Sequence, residues 1–119
     1  MTSESAAAAD RLWPLGDLAF HVLLALGQGS AHGYAIGKEI EQRTRGRLNP
    51  TTGALYQSLK RLRADGLIEP DESVSHISED ARRKYFRLTD VGREAASLEA
   101  RRLHELVRVA QERKLYADR

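Results

Sequence analysis

The chain has 119 residues, of which 41% are hydrophobic and 30% are charged. This length suits one compact domain with at most one appended element, and the hydrophobic fraction is sufficient for a core. The absence of cysteine excludes disulfides, thiolate zinc sites and thiol nucleophiles. There is no run of about 18 apolar residues and no export signal, so we expect a cytoplasmic location and no contact with a membrane.

The charges are sorted into blocks, although the formal net charge is only +2. The segment from Arg43 to Ala64 contains six cations and no acidic residue, whereas the segment from Glu69 to Asp80 contains five acidic residues and no lysine or arginine. Positive charge then returns between positions 82 and 87. Sorting of this kind is expected where one face of a protein meets a polyanion such as DNA.

The first half of the chain predicts a tail followed by three helices. Residues 1–11 are small and polar without a packing pattern, and we expect a disordered tail. Apolar spacing predicts a core helix from about Leu15 to Leu26 and a shorter helix from His32, as its capping residue, to about Thr44. Asn49-Pro50 predicts the start of a third helix, because asparagine caps helix N-termini and proline fits the first helical position.

The third helix is predicted to run to about Asp65, and Gly66 is expected to end it. Its inner face consists of leucines at helical spacing, namely Leu55, Leu59 and Leu62. Two short strands follow, at positions 67–70 and 84–89, and a polar loop over 71–83 joins them. Thr89 and Asp90 are expected to cap a last helix that reaches about Lys114.

The later half of the last helix carries an apolar stripe, formed by Leu103, Leu106, Val107 and Ala110. The stripe could cover the chain's own core. However, residues 101–116 extend beyond the reach of so small a core, so we expect the stripe to form a homodimer interface. In a two-fold dimer, two copies of the third helix would lie about 34 Å apart, which is one turn of DNA.

The order of these elements predicts an α+β, mainly α, fold: a winged helix-turn-helix with a C-terminal dimerisation helix. The predicted organisation is a tail at 1–11, a winged-helix DNA-binding domain at 12–89 and the dimerisation helix at 90–119. Several residue strings in this order resemble the PadR family of regulators. They are HGYAI at 32–36, NPTTGALY at 49–56, LKRL at 59–62 with GLI at 66–68, and RKYFRLT at 83–89 with GR at 92–93.

The resemblance implies a winged-helix fold, homodimerisation through the terminal helices, and binding to pseudo-palindromic double-stranded promoter DNA. It also implies repression that an effector relieves. The single helix after the wing is similar to the smaller subgroup of the family. The chain departs from the family at Gln57, where proline is very frequent, and in the acidic residues Glu79 and Asp80 at the wing tip.

The outer face of the third helix is expected to enter the major groove, with Thr51 at its start. Gln57 is the first candidate for base contact, because its amide both donates and accepts, and Thr52 is the second. Phosphate contacts are expected from Tyr56, Lys60, Arg61, Arg82, Arg83 and Lys84. Other interpretations are a merely solvated helix face, a Tyr56 that closes the core, and arginines that neutralise the adjacent acidic pair.

No metal, cofactor or enzymatic activity is expected, since the four histidines lack ligand spacing and no catalytic motif is found. Trp13 either anchors the N-terminal arm or forms an aromatic wall for a small, flat aromatic effector at the dimer interface. For the protein as a whole, the alternative to DNA binding is a winged-helix docking module for other proteins. The cations on the third helix favour DNA, because a docking surface would expose apolar patches.

Overall fold

The computed structural model of the protein describes residues 3–11, 15–75 and 83–117. Within these ranges the elements are α1 (Ser3–Arg11), α2 (Asp17–Leu26), β1 (Ala31–His32), α3 (Gly33–Arg43), α4 (Thr52–Ala64), β2 (Ile68–Pro70), α5 (Glu72–Ser75), β3 (Tyr85–Leu88) and α6 (Asp90–Glu112). None of these helices is long and apolar enough to cross a bilayer. The predicted order of three core helices, a two-stranded wing and a terminal helix is confirmed.

The sheet has three antiparallel strands in the order β1-β3-β2. The bounds of the wing strands β2 and β3 differ from the predicted bounds by no more than one residue. Glu69 pairs with Arg87 across the two strands. The third strand, β1, was not predicted, because its two residues are too few to show an alternating pattern. It pairs with β3 through Ala31 and His32 and thereby joins the start of α3 to the wing.

The side chains that begin α3 and α4 set the position of both helices. His32 caps α3 as predicted, since its Nδ1 accepts a hydrogen bond of 3.2 Å from the amide of Ala35. The predicted start of the next helix at Asn49-Pro50 is wrong. The helix begins at Thr52, and Thr51 is its cap, accepting a 3.0 Å hydrogen bond from the amide of Ala54. Threonine supplies the same kind of capping oxygen as asparagine.

The core lies between α2, α3, α4 and the sheet. Its members are aliphatic or aromatic side chains, and the predicted leucines of α4 are among them: Ala9, Val22, Leu23, Ala25, Leu26, Ile36, Ile40, Leu55, Leu59, Leu62, Leu67, Ile68, Phe86 and Ala95. After α4, Gly66 adopts a positive φ of 77°, which favours glycine, and the chain turns into β2. Because the leucines of α4 face the core, the opposite face of the helix is exposed to solvent.

The N-terminal segment is helical where the structure describes it, whereas the sequence suggested a tail without regular structure over residues 1–11. Residues Ser3–Arg11 form α1, which packs against α6. Ala9 is fully buried and Ser5 nearly so. The segment lacks the large apolar residues that reveal an amphipathic helix, but alanine has the highest helix propensity, and α6 supplies the surface that α1 needs.

Candidate nucleic-acid interface

The outer face of α4 carries the side chains that the sequence assigns to DNA. Thr52, Gln57, Lys60 and Arg61 are all exposed, on the side of the helix away from the buried leucines. Thr51 is also exposed, but its hydroxyl oxygen already accepts the capping hydrogen bond at the helix start. The helix itself, Thr52–Ala64, contains three cations and no acidic residue. This arrangement can present amide, hydroxyl and cationic groups to a polyanion.

Tyr56 lies at the contact between α3 and α4 and does not enter the core. About half of it is exposed, and its ring and hydroxyl pack against Gly33. A Cβ at position 33 would lie 3.0 Å from the hydroxyl oxygen and 3.2 Å from the ring carbon that bears it. Glycine at position 33 therefore allows the tyrosine to lie close to the backbone of α3, while about half of the residue stays exposed.

A cleft of about 480 Å³ separates α4 from the wing and from the start of α3. Four cations, four aromatic or imidazole rings, one leucine and one glycine surround it: His32, Gly33, Tyr34, Tyr56, Leu59, Lys60, Arg63, Arg83, Lys84 and Phe86. No acidic side chain is among these lining residues. The sequence assigned four of these residues to DNA but not Tyr34 or Arg63, because their convergence depends on the packing of α3 against α4.

The base of the wing reaches the first turn of α3 through Arg83. One guanidinium nitrogen of Arg83 lies 3.0 Å from His32 Nε2, and its carbon lies 5.7 Å from the centre of the Tyr34 ring, within cation–π range. The His32 ring in turn meets the edge of Tyr85 at 5.1 Å. Lys84 is exposed beside Arg83, whereas Arg82 lies outside the described residues.

An ionic cluster holds β2 and β3 to the turn before β1. Asp71 is buried and accepts hydrogen bonds from the side chains of Ser30 and Ser73. These hydrogen bonds, that from Ser30 above all, hold the pKa of Asp71 below its ordinary value. Arg87 pairs with Glu69 at 2.9 Å and lies 3.7 Å from Asp71. The cluster therefore fixes the base of the wing relative to the helices.

The cations of the Arg43 to Ala64 block do not form one surface. Arg43, at the end of α3, contacts Glu39 and the backbone and ring of His21. Together with Arg45 and Arg47 it borders a second cavity of about 580 Å³, at the opposite end of α3 from the cleft. The charge block that the sequence shows as continuous is thus divided between α4 and the turn after α3.

The apolar stripe of α6 is buried in its first part and uncovered in its second. Gly92, Ala95 and Glu99 are buried, and the carboxylate of Glu99 pairs with the guanidinium of Arg102. The same face continues at helical spacing with the predicted interface residues Leu103, Leu106, Val107 and Ala110. Leu106 is 53% exposed, Leu103 and Val107 are also exposed, and Ala110 is half-buried. Leu115 and Tyr116, which the sequence did not single out, are exposed just beyond the helix.

The remaining sequence predictions concern the effector residue, the wing tip and metal binding. Trp13, the candidate effector residue, falls outside the described residues, as does the acidic wing tip at Glu79 and Asp80. Within residues 3–11, 15–75 and 83–117, no three histidine or carboxylate side chains are grouped so that they could hold a metal ion.

Comparisons with known proteins identify the family. The sequence profile of the Transcriptional regulator PadR-like family matches residues 22–98, well over half of the chain. A PadR family transcription regulator from Clostridium difficile R20291 has a TM-score of 0.69 and 26% sequence identity, over 82% of this chain and 97% of that one. Bacillus subtilis PadR, solved in complex with operator DNA, has a TM-score of 0.59 and 23% identity, over 71% of this chain and 46% of that one.

A further similarity comes from sequence. The chain is 42% identical over 89 residues to an uncharacterized 37.1 kDa protein in transposon TN4556 of Streptomyces fradiae. The match covers 75% of this chain but 23% of that protein, so the chain spans about a quarter of that relative's length. The resemblance seen in the four sequence strings is confirmed together with the winged-helix fold. The chain belongs to the PadR-like family of transcriptional regulators, whose members are regulators of transcription and not enzymes.

Proposed function

We propose that the protein is a homodimeric, cytoplasmic regulator that binds a pseudo-palindromic operator in double-stranded DNA and represses a nearby promoter. The observation that carries this proposal is the outer face of α4, where Gln57, Lys60 and Arg61 are exposed on a helix without any acidic residue. A helix with this polarity fits the major groove, which is about 12 Å wide.

The side chains of α4 divide by chemistry into two roles. The Gln57 amide can donate and accept at the same time, which suits the paired donor and acceptor on the edge of adenine, and Thr52 offers a hydroxyl in the preceding turn. Lys60 and Arg61 carry charges that suit phosphates, as do Arg83 and Lys84 at the base of the wing. The operator complex of Bacillus subtilis PadR supports placing such a fold on DNA.

Dimerisation through α6 would supply the second copy of α4. The exposed stripe at Leu103, Leu106 and Val107 continues the buried face of the same helix, and an isologous dimer would bring the same stripe of both copies together. Full burial of one leucine side chain contributes about 1.5–3 kcal/mol, so a few such residues from each chain could stabilise a dimer.

Release by a small aromatic effector completes the proposal. It rests on the family resemblance and on Trp13 as the sensing residue. Titration of the dimer with aromatic carboxylic acids, followed by Trp13 fluorescence, tests it directly. If the fluorescence and the DNA affinity are both unchanged, the effector role of Trp13 is wrong, and DNA binding itself is unaffected by that result.

DNA binding is tested with duplexes from the region upstream of the gene by fluorescence anisotropy. We expect affinity to fall steeply with salt, and a Lys60→Glu/Arg61→Glu variant to lose binding, because phosphate contacts dominate affinity. The matched control is Arg101→Glu, a reversal of an exposed cation on α6. Binding that is absent or insensitive to salt would favour the alternative, a docking module for other proteins.

A further inference from the structure

The cleft between α4 and the wing lies where a DNA strand would have to pass. If α4 occupies the major groove and the β2-β3 wing lies over the adjacent minor groove, the backbone that separates the two grooves must cross between them. That crossing point is the cleft of about 480 Å³ beside α4. We propose that this cleft is a backbone phosphate site, in which Tyr34 and Arg63 contact the phosphate. The inference rests on the proposed function and adds two residues to it.

The charge of the cleft fits a phosphate group. Lys60 and Arg63 approach from α4, Lys84 approaches from the wing, and no carboxylate lines the space. Arg63 is exposed, and within the described parts of the chain it forms no ion pair. Cations gathered without a carboxylate repel one another in the free protein, so an anion between them is stabilised and releases condensed counterions from DNA.

Tyr34 is held at the mouth of the cleft by its neighbours. It is 63% exposed on the first turn of α3, and the guanidinium of Arg83 lies over its ring. The imidazole of His32 is roughly parallel to the same ring at 6.4 Å. A phenol positioned in this way donates a hydrogen bond to a phosphate oxygen without losing much side-chain freedom, because its rotamer is already restricted.

Three parts of the fold would thus hold one phosphate: α3 through Tyr34, α4 through Arg63, and the wing through Lys84. A contact of this kind has no sequence preference, because every nucleotide carries the same phosphate. It fixes the position of α4 in the groove. Gln57, which lies on the outer face of the same helix, is then brought to the base edges in a constant register.

The experiment compares Tyr34→Phe and Arg63→Gln with the wild type on two duplexes, the operator and a scrambled sequence of equal length. We expect each variant to lose affinity about tenfold at most, and equally on both duplexes. For Arg63→Gln, the slope of log K against log salt should also become smaller by about one phosphate. Arg47→Gln, in the turn after α3, serves as the matched arginine control, and circular dichroism checks folding.

A second arm locates the contact. Single methylphosphonate substitutions are placed along the operator backbone, and each removes one negative charge. At one position per half-site the wild type should lose affinity while Arg63→Gln loses no more, because the two changes remove the same interaction. Full additivity at every position would overturn the proposal.

The remaining outcomes separate this inference from the proposed function. If the wild type binds the operator but both variants bind equally well, the phosphate site is wrong and DNA binding stands. A loss confined to the operator duplex would show base reading by these residues, which also overturns the phosphate role. If the wild type binds neither duplex, both proposals fail.

Discussion

Ser30 donates its side-chain hydrogen bond to Oδ2 of Asp71, so the turn before β1 is joined to the residue that follows β2. The same carboxylate accepts from Ser73 and lies near Arg87 on β3. Three segments that surround the wing therefore share one buried negative charge. We therefore expect the orientation of the wing, and with it the position of Lys84 beside α4, to depend on that carboxylate being ionised.

This dependence predicts a stability change with pH. Because the pKa of Asp71 is lowered on folding, its contribution is fully present above the unfolded value of about 3.9 and is lost as pH falls through the folded pKa. Asp71→Asn should lower the free energy of unfolding at neutral pH, and the difference from wild type should shrink below about pH 4. Urea unfolding at several pH values measures it.

The control for this measurement is Asp65→Asn, which changes an exposed aspartate at the end of α4. The difference in unfolding free energy between Asp65→Asn and the wild type should stay small at every pH. If the difference in unfolding free energy between the wild type and Asp71→Asn stays constant down to about pH 2.5, the ionic role of Asp71 is contradicted.

A second prediction concerns the packing of α6 against Leu67, the residue before strand β2. Gly92 is buried, and a Cβ there would overlap the backbone carbonyl of Leu67. Since backbone cannot move aside as a flexible side chain can, Gly92→Ala should cost about 1–3 kcal/mol of unfolding free energy. Gly53→Ala is the control: its nearest neighbouring atom is 4.0 Å away, and alanine should stabilise α4 by up to about 1 kcal/mol. Urea denaturation at one protein concentration compares the three proteins.

A third prediction tests the exposed stripe of α6. Leu106→Asp should shift the protein from dimer to monomer, because two aspartates would be brought together in an apolar contact. Light scattering distinguishes a 13.3 kDa monomer from a particle of twice that mass. Arg101→Asp, which places the same charge on another face of α6, should remain dimeric. A wild-type mass of 13.3 kDa at micromolar concentration would refute the dimer.

A fourth prediction distinguishes base contacts from phosphate contacts on α4. Gln57→Ala should reduce discrimination between the operator and a scrambled duplex by about tenfold, since one bidentate base contact is worth about 1–3 kcal/mol. Lys60→Gln should weaken binding to both duplexes alike. Anisotropy titrations at one salt concentration give both ratios. If Gln57→Ala weakens the two duplexes equally, Gln57 does not read bases.

Much of the fold followed from local patterns. The leucines at positions 55, 59 and 62 are buried as their spacing predicted, and Gly66 and Thr89 mark helix ends as their chemistry predicted. The start of α4 was misplaced because Asn49 and Thr51 are both capping residues, and the choice between them depends on how the preceding turn packs. Two elements, β1 and α1, depend on partners distant in sequence and carry no periodic pattern of their own.

The candidate interface was predicted in part. The outer face of α4 followed from helical spacing, but Tyr34 and Arg63 come together with Lys84 only through the contacts of α3 with α4 and of β1 with β3. Similarly, the sequence shows the cations from Arg43 to Arg63 as one block. The fold separates them because α3 places its two ends on different sides of the domain.

The burial on α6 stops at Glu99, and the exposed stripe begins about one turn later, at Leu103. The two faces lie on one rigid helix that starts directly after the wing, so the angular phase between them is constant. One residue inserted after Glu99 would rotate the stripe by about 100° relative to the DNA-binding domain. In a two-fold dimer such an insertion would turn the two copies of α4 toward different sides of the double helix. If the proposed dimer forms through this stripe, the number of residues between the wing and the stripe sets the operator spacing.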